Sequence, residues 1–473
     1  MPLILPGNVA SATASTTYDV ANSCRFNDGD SAYMYRSNGT PTSQRILTIS
    51  TWLKRGTDMA TTDVYQYWMG IQDTGVGDPR MYIGFNDSGQ LNTGEKGGAG
   101  ENVWKFTTNR VFRDPTAWYH IVLSIDTTQG TEANRLKIYV NGTQETSFAT
   151  STYPTENLDM DTTGNEINVA CIDNASPSGF FDGYIAEMVY SDGQAYAASD
   201  FGEFDEDSPT IWKPKDVSGL TFGDNGFYLD FEDSANLGND ANGGTDFTET
   251  NLAATDQATD TPTNNFCTLN PLTTTSSDFT ISEGNCKLVG VSGWRPSTAT
   301  IGVTSGKWYC EAKCTAVGSA SVYGIIDFAQ YVDTTTEMAG YSRAWLYRAY
   351  RGYLYNNNTY EGEVSYGDGW TTDDIIGIYL DCDNNKVYWA KNGVVQNSGT
   401  GISITDGYDY TFAFNIYNST AEVNFGNPTW SLSSAVADDN GYGSFEYDPS
   451  AGTFDSASKD FYALCTKNLA EYG

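Results

Sequence analysis

The sequence has very little histidine and few cationic side chains. Its 473 residues include one histidine, His120, and 60 aspartates and glutamates stand against 25 lysines and arginines, which gives a net charge of −35. A chain this negative repels phosphate backbones, so we expect no nucleic-acid partner. A single imidazole excludes histidine-rich metal sites, and Ser-His or Cys-His catalysis would depend on His120 alone.

Long apolar runs and paired cysteine motifs are also missing from the sequence. No segment approaches the roughly 18 apolar residues that span a bilayer, so we expect no membrane insertion. The start of the chain, Met1 to Gly7, has no basic region and only a short apolar run, which predicts no secretion signal. The eight cysteines contain no CxxC pair, and this excludes a zinc ribbon. We interpret them as buried thiols, with a disulfide framework as the alternative.

Period-two patterns fill most of the chain, whereas helical periodicity is nearly absent. Residues 135–140 alternate between apolar and polar or aromatic side chains and run directly into Asn141-Gly142, a pair suited to a two-residue hairpin turn. Residues 376–389 followed by Asn392-Gly393 repeat this layout. The aromatic content of 14% supplies material for packed cores. The sequence therefore predicts an all-β protein with two antiparallel β-sandwich (jelly-roll) domains.

Changes in amino-acid composition along the chain divide it further. A polar stretch punctuated by aromatic residues lies between the two strand-rich regions, and a second aromatic segment follows the later one. We predict an N-terminal arm at residues 1–14, a sandwich at 15–222, an extended strap at 223–270, a second sandwich at 271–433 and a C-terminal packing segment at 434–473.

Several strands of the first sandwich resemble a known family. The stretches ILTISTWLKRG (46–56), WYHIVLSIDTT (118–128), NRLKIYVNGT (134–143) and FFDGYIAEMVYSDGQA (180–195) are similar to a laminin-G, or concanavalin-A-like, jelly roll. The resemblance implies a lectin-like sandwich, and such folds often hold calcium at one rim.

The second sandwich resembles a different family. The stretches GKWYCEAKC (306–314), DDIIGIYLDCDNNKVYWAKNGV (373–394) and YTFAFNIYNSTAEVNFG (410–426) are similar to the SPRY domain. In that family the ligand surface is formed by loops between strands, which the resemblance carries over to this half of the chain.

The whole arrangement resembles tail-fibre and other virion-appendage proteins of marine tailed bacteriophages. The opening MPLILPGNVASATA, the strap motif NGFYLDFEDSANLG (225–238) and the ending TKNLAEYG (466–473) add to this resemblance. It implies a structural protein made in the host cytoplasm and carried on the particle surface. The expected partners are other virion proteins and further copies of the chain, and the expected ligand is a host-surface glycan. The short apolar residues Leu3, Ile4 and Leu5 would act as the anchoring arm.

One stretch stands out as a candidate binding surface. Sugar recognition needs flat aromatic faces beside polar groups, and the segment from Tyr341 to Tyr360 is rich in both tyrosine and arginine. In an acidic chain this basic patch suits an anionic glycan or an acidic neighbouring subunit. The alternative is the ordinary exposed face of a strand pair. The candidate residues are Arg343, Trp345, Tyr347, Arg348, Tyr350, Arg351, Tyr353, Tyr355 and Tyr360, together with Trp104 in the first sandwich.

The sequence requires no cofactor, and calcium is the one candidate. Asp28, Asp30 and Asp173 offer the hard oxygen ligands that this ion prefers, although no twelve-residue calcium loop is present.

The patterns needed for catalysis are weak. The acidic cluster from Glu203 to Asp207 lacks the spacing of a jelly-roll glucanase, and we interpret it as a solvated loop or a cation ligand, with a catalytic role as the alternative. His120 has a structural interpretation, bonded to a neighbouring group, and an alternative one as a catalytic base. We therefore expect a protein without enzymatic activity. The alternative is a polysaccharide depolymerase that degrades host capsule or lipopolysaccharide.

Overall fold

The computed structural model describes residues 18–56, 65–72, 79–97, 100–173, 175–273, 279–317, 321–330, 337–356 and 359–473. The chain divides between Thr263 and Asn264 into two compact units. We call the unit that ends at Thr263 the N-terminal sandwich and the unit that begins at Asn264 the C-terminal sandwich. The predicted all-β class with antiparallel sandwiches is confirmed.

The N-terminal sandwich is built from short antiparallel strands and tight turns. Its strands are β1 (Ser23–Phe26), β2 (Tyr33–Ser37), β3 (Ile46–Arg55), β4 (Gln66–Gln72), β5 (Pro79–Phe85), β6 (Gln90–Lys96), β7 (Asn102–Val111), β8 (Trp118–Asp126), β9 (Leu136–Val140), β10 (Thr143–Gln144), β11 (Phe148–Thr152), β12 (Glu166–Val169), β13 (Gly183–Asp192), β14 (Gly202–Phe204), β15 (Trp212–Pro214), β16 (Phe227–Leu229), β17 (Thr248–Thr250) and β18 (Gln257–Ala258). Short 3-10 turns lie at Asp28–Asp30, Glu132–Asn134, Ala198–Asp200 and Ala254–Asp256.

Two sheets enclose the core of this unit. One has the strand order β10-β9-β8-β3-β13-β1-β18, with β16 also on β13, and the other has the order β11-β7-β6-β5-β4-β12-β2-β17. Alternate residues of each strand point into the core, as the period-two pattern predicted: Leu136, Ile138 and Val140 of β9 are buried there. Of the predicted strap, residues 223–263 belong to this sandwich, and β16, β17 and β18 pair with its sheets.

A bulge in β13 places a buried carboxylate on the outer side of the sheet. The register shifts between Ala186 and Val189, and Glu187 has a left-handed φ of 49°. The Glu187 carboxylate accepts hydrogen bonds from the hydroxyls of Tyr18, at 2.9 Å, and Tyr228, at 2.8 Å. Burial raises the pKa of Glu187 to about 7, although both bonds act in the opposite direction. The carboxylate thus ties two distant segments to the sheet.

The C-terminal sandwich uses longer strands. They are β19 (Phe279–Ser282), β20 (Lys287–Thr298), β21 (Lys307–Ala316), β22 (Val322–Asp327), β23 (Ala344–Arg348), β24 (Tyr353–Asn356), β25 (Thr359–Ser365), β26 (Ile375–Asp381), β27 (Lys386–Lys391), β28 (Val394–Val395), β29 (Ile402–Ser403), β30 (Tyr410–Asn424) and β31 (Tyr462–Ala463), followed by the helix α1 (Thr466–Tyr472). Short 3-10 turns lie at Pro271–Thr273, Met338–Gly340, Tyr350–Gly352 and Asn397–Gly399.

The long strand β30 connects the two layers of this unit. Its first half pairs with β22 and its second half with β21, while β20 pairs along its other side. From these pairings the sheet continues as β25-β24-β23-β22 on one side and as β26-β27-β28 on the other. The core lies between them, where Tyr347 of β23 contacts Trp389 of β27 at a ring distance of 6.0 Å.

The outer face of β21, β26 and β27 is aromatic and is covered by residues from the end of the chain. Trp308 and Cys310 of β21 point into the core, whereas Tyr309 points to the outer face. There Phe454 and Phe461 pack on Tyr379 at ring distances of 4.8 and 5.0 Å. Burying each phenylalanine stabilises the fold by about 1.5–3 kcal/mol. The C-terminal segment is therefore part of the folded unit.

A second buried carboxylate holds this cover in place. Glu311 of β21 is fully buried, and each of its oxygens accepts two hydrogen bonds. The backbone N–H groups of Glu446 and Tyr447 donate at 3.0 and 2.8 Å, and the side chains of Tyr309 and Asn424 both donate at 3.1 Å. Burial raises the pKa of Glu311 to about 7, while the four bonds favour the ionised form.

Replacing this carboxylate should loosen the C-terminal cover. In Glu311→Gln an amide NH2 faces two donors, so two buried hydrogen bonds are lost. At about pH 8 we expect the free energy of unfolding of the C-terminal sandwich to fall by about 2–4 kcal/mol. Urea denaturation and hydrogen exchange at residues 445–447 measure this. The matched control, Glu471→Gln, removes an exposed carboxylate of the same unit and should change neither readout. Unchanged exchange in Glu311→Gln would show that Glu311 does not hold the segment.

Candidate functional site

The outer face of the β8–β3–β13 sheet in the N-terminal sandwich is covered by residues that follow β13. Because alternate residues of β8 face outward, Val122 lies on this face, and Val189 of β13 joins it. Phe201, Val217 and Phe222 pack against them from the covering segment. The cover is thus an apolar layer that also encloses a few polar groups.

His120 is the central polar group under this cover. It is fully buried, its ring stacks on Trp52 at 4.6 Å, and the ring of Trp212 lies beside its edge, 6.1 Å away between centroids and inclined by 21°. The indole Nε1–H of Trp212 donates to His120 Nδ1 at 3.0 Å, while Nε2 lies 2.8 Å from the Ser50 hydroxyl. Because an indole can only donate, Nδ1 is the acceptor, so a neutral ring carries its proton on Nε2 and donates it to Ser50. Burial lowers the pKa of His120 to about 3, which keeps the ring neutral.

This arrangement positions Trp212 at the surface. Two glycines leave room for its indole: a Cβ on Gly142 would lie 2.3 Å from the ring, and a Cβ on Gly202 would lie 2.6 Å from it. Gly142 also completes the predicted hairpin turn, in which Asn141 and Gly142 have φ values of 46° and 74°. Phe204 meets the indole edge-to-face at 4.9 Å. The Asn-Gly turn therefore provides both the hairpin and the space beside the indole.

A shallow cavity of about 370 Å³ opens at this point. Phe204, at its edge, is 46% exposed, and the side chain of Glu203 is 42% exposed. Lys213 lies 3.7 Å from Glu203 and 3.6 Å from the buried Asp205. The cavity combines aromatic surface with one carboxylate and one ammonium group, and its lining residues are Tyr139, Gly142, Ala197, Ala198, Ser199, Gly202, Glu203, Phe204, Trp212 and Lys215.

The sequence pointed to parts of this cavity but not to their assembly. The acidic cluster from Glu203 to Asp207 places Glu203 in the lining, whereas Asp205 is buried and caps the backbone N–H groups of Asp207 and Ser208. Phe204 and Trp212 flank this acidic loop in sequence and pair across β14 and β15. An aromatic residue at each end of an acidic loop is the sequence pattern that could have indicated this cavity.

In the C-terminal sandwich, two of the predicted binding residues belong to the core. β23 is buried on both faces: Trp345 packs edge-to-face on Tyr410 at 5.5 Å, and Tyr347 packs on Trp370 at 4.9 Å. Both rings are 2% exposed or less and offer no face to a ligand. The prediction that Trp345 and Tyr347 bind a ligand is therefore wrong, because β23 lies inside the sandwich rather than at its surface.

The other residues of this stretch form a surface. Arg348 donates to the Tyr355 hydroxyl, and Arg351 lies over the ring of Tyr350 at 4.8 Å and donates to the Tyr353 hydroxyl at 3.2 Å. Tyr350 is 43% exposed. We call Arg348, Tyr350, Arg351, Tyr353 and Tyr355 the tyrosine–arginine surface.

Two other predicted residues lie apart from this surface. Arg343 is paired with Asp327 at 2.5 Å and lies over the ring of Tyr408 at 4.4 Å. The side chain of Tyr360 lies outside the described residues.

The predicted Trp104 and calcium residues also have defined places. Trp104 is fully buried and donates to Glu95 at 2.9 Å, so its proposed role as a sugar platform is wrong. Asp30 accepts from Asn27, and Asp173 accepts from the backbone of Ala175 and Ser176. Within the described ranges, which include Asp28, Asp30 and Asp173, no three His, Cys, Asp or Glu side chains converge to hold a metal ion. The residues of the predicted N-terminal anchoring arm, Leu3, Ile4 and Leu5, lie outside the described residues.

Comparison with protein families agrees with the predicted laminin-G, or concanavalin-A-like, character of the first sandwich. Residues 28–196 match a laminin G-type model described as the concanavalin A-like lectin/glucanases superfamily. The cavity residues from Ala197 onward lie just beyond this match. This part of the N-terminal sandwich is thus similar to a superfamily whose description names lectins and glucanases.

Other comparisons are more distant. The ATP-dependent RNA helicase DDX1 of Xenopus laevis is 30% identical over 108 residues, which are 23% of this chain and 13% of the helicase. The SPRY domain of human HERC1 is 20% identical, covering 33% of this chain and 96% of that domain, with a TM-score of 0.27. The heptameric SAP-like pentraxin of Limulus polyphemus is 14% identical, covering 38% of this chain and 80% of that chain, with a TM-score of 0.29. Within the described part of the chain, no helix is long and apolar enough to cross a membrane.

The state of His120 can be tested directly, because it is the only histidine in the chain. With a folded pKa of about 3, the ring should stay neutral, with its proton on Nε2, when the pH is lowered from about 8 to about 5. Because the unfolded imidazole takes up its proton near pH 6.5 and the folded one does not, His120 should leave the free energy of unfolding unchanged above that pH. The free energy of unfolding should then decrease as the pH falls from about 6.5 toward 3. Nitrogen-15 NMR of the imidazole measures both tautomer and charge, with the urea-unfolded chain as the control. Titration of the folded protein near pH 6.5 would contradict this assignment.

Proposed function

We propose that this protein binds glycans through the cavity beside Trp212 in its concanavalin A-like sandwich. The observation that carries the proposal is the composition of the cavity, where exposed aromatic surface lies beside Glu203 and Lys215. Sugar rings present C–H faces that pack on aromatic rings, and their hydroxyls exchange hydrogen bonds with charged groups. A cavity of about 370 Å³ has the size of a small-ligand site.

The rigidity of the site supports binding. Trp212 is fixed by its hydrogen bond to His120, and its indole packs closely against Gly142 and Gly202. A platform that is already ordered loses little side-chain entropy when a sugar packs on it. This favours recognition of a weakly interacting ligand without rearrangement of the sandwich.

The tyrosine–arginine surface provides a second contact in this proposal. Its arginines already lie beside tyrosine rings, and Arg351 is exposed in a chain with a net charge of −35. A basic, aromatic surface of this kind suits an anionic glycan or an acidic region of a neighbouring subunit.

We further propose that the protein is a structural component of a phage particle, as a tail fibre or another appendage, where it adheres to the host surface. The support is the sequence resemblance to virion appendages of marine tailed phages. An oligomeric arrangement on a particle would raise the avidity of weak glycan sites without new contacts.

Binding is favoured over the alternative, a polysaccharide depolymerase. Hydrolysis of a glycosidic bond generally uses two carboxyl groups about 5–10 Å apart on either side of the bond. Among the described residues that line the cavity, Glu203 is the one carboxylate, and the neighbouring Asp205 is buried beside Lys213. The lining therefore resembles a binding site more closely than a hydrolytic one.

Removing the exposed ring should weaken glycan binding without unfolding the protein. In Phe204→Ala we expect about tenfold weaker binding, equivalent to about 1.4 kcal/mol, because the stacking face is lost. The assay is an array of bacterial surface polysaccharides, followed by titration of the best one. The matched control is Tyr65→Ala, which removes a 40% exposed ring of the same sandwich outside the cavity. A blank array, or equal binding by both variants, would contradict the site. Release of reducing ends that stops in Glu203→Gln would favour the depolymerase.

The particle role has a separate test. In a lysate that contains this protein, density-gradient-purified tailed particles should carry the chain, and immunogold labelling should place it at a fixed position on them. Recovery of the chain only in the particle-free fraction would contradict the virion proposal and would leave glycan binding to be judged by the array.

A further inference from the structure

A lysine and an aspartate form a buried ion pair inside the N-terminal sandwich. Lys54, near the end of β3, places its Nζ atom 2.5 Å from Oδ2 of Asp260, which lies 206 residues later in the chain. Their side chains are 1% and 0% exposed. Other lysine–aspartate pairs are more exposed: the lysine side chain is 14% exposed in Lys459–Asp381 and 28% exposed in Lys307–Asp383.

The surroundings of this pair are aromatic and apolar. Lys54 Nζ lies over the ring of Tyr184 at 5.8 Å, and Trp118 lies beside it on β8. The Trp118 Nε1–H donates to the other carboxyl oxygen, Oδ1 of Asp260, at 3.0 Å. Asp260 is further fixed by its backbone carbonyl, which accepts from the Ser23 hydroxyl at 2.6 Å. The buried cluster at this place consists of Val20, Trp52, Trp118, Tyr184, Ala186 and Ala258.

Burying an ion pair in such a place is unfavourable. Removing two charges from water costs several kcal/mol per ion, and the attraction between the charges is often smaller than this desolvation penalty. Transfer of one proton from the ammonium to Oδ2 would give an amine and a carboxylic acid. These are the two groups that condense to an amide, and they are held in contact in a site that excludes water.

We propose that Lys54 and Asp260 form an intramolecular isopeptide bond. The Nζ–Cγ bond forms when the amine attacks the carboxyl carbon, and the Cγ–Oδ2 bond breaks. The two protons lost by the ammonium leave with Oδ2 as one water molecule, so atoms and charges balance without an oxidant or a cofactor. Trp118 donates to Oδ1, the oxygen that carries negative charge in the tetrahedral intermediate and becomes the amide carbonyl.

The bond would fasten the last segment of the sandwich to its centre. Asp260 follows β18, which pairs with β1 at the edge of the sheet, whereas Lys54 lies on the central strand β3. A covalent link between them closes the chain over 206 residues, so the edge strands remain joined to the centre when the noncovalent contacts open. Such a lock suits a protein that must resist unfolding outside the cell.

The test is the intact mass of the full-length chain. The purified wild type should be lighter than its sequence mass by one water, and tandem mass spectrometry of a digest should find the peptides of Lys54 and Asp260 joined. Lys54→Met and Asp260→Ala should each have their full sequence mass. The matched control Lys459→Met alters a more exposed pair, and its mass should still be lower than the sequence mass by one water. A folded wild-type chain with its full sequence mass, or a loss of water that maps elsewhere, would overturn the proposal. Because the decisive reading is on the wild type, poor folding of a variant does not obscure it.

Discussion

Each sandwich depends on covering the outer face of a sheet as well as filling its core. In the N-terminal sandwich, the outward residues of β8 include Val122 and the buried His120, and in the C-terminal sandwich those of β21 and β26 include Tyr309 and Tyr379. Large apolar surfaces of this kind are unfavourable in water. Residues that follow the strand-rich part of each unit supply the cover. They are therefore part of each fold rather than appendages to it.

The covers are held by a small number of buried polar groups. Glu187 accepts from two tyrosine hydroxyls, Glu311 accepts from four donors, and His120 connects Trp212 to Ser50. Apolar contacts alone would allow a covering segment to slide, whereas directional hydrogen bonds at a buried group specify one position. Each of these groups lies on a strand and bonds to a segment far away in sequence.

The candidate glycan site is a consequence of this arrangement. The cavity forms where the cover of the N-terminal sandwich meets the β9–β10 hairpin, and Gly142 of that hairpin lies against Trp212. The same hydrogen bond that satisfies the buried His120 fixes the indole at the cavity wall. In the proposed site, the side chain of Trp212 would serve both fold stability and ligand binding, because it connects the interior of the sandwich to its surface.

The sequence by itself determined the all-β class, the two sandwiches, the inward faces of strands such as β9 and β26 and the Asn141-Gly142 turn. These features follow from local alternation and turn chemistry, which a linear pattern records. Only the tertiary structure decided which aromatic residues are exposed. Trp345, Tyr347 and Trp104 are as aromatic as Phe204, but they lie between layers, whereas Phe204 lies at a cavity edge. The pairing of Lys54 with Asp260 and of His120 with Trp212 was equally beyond the sequence. Contacts between residues far apart in the chain depend on the packing of complete layers, and no local pattern encodes them.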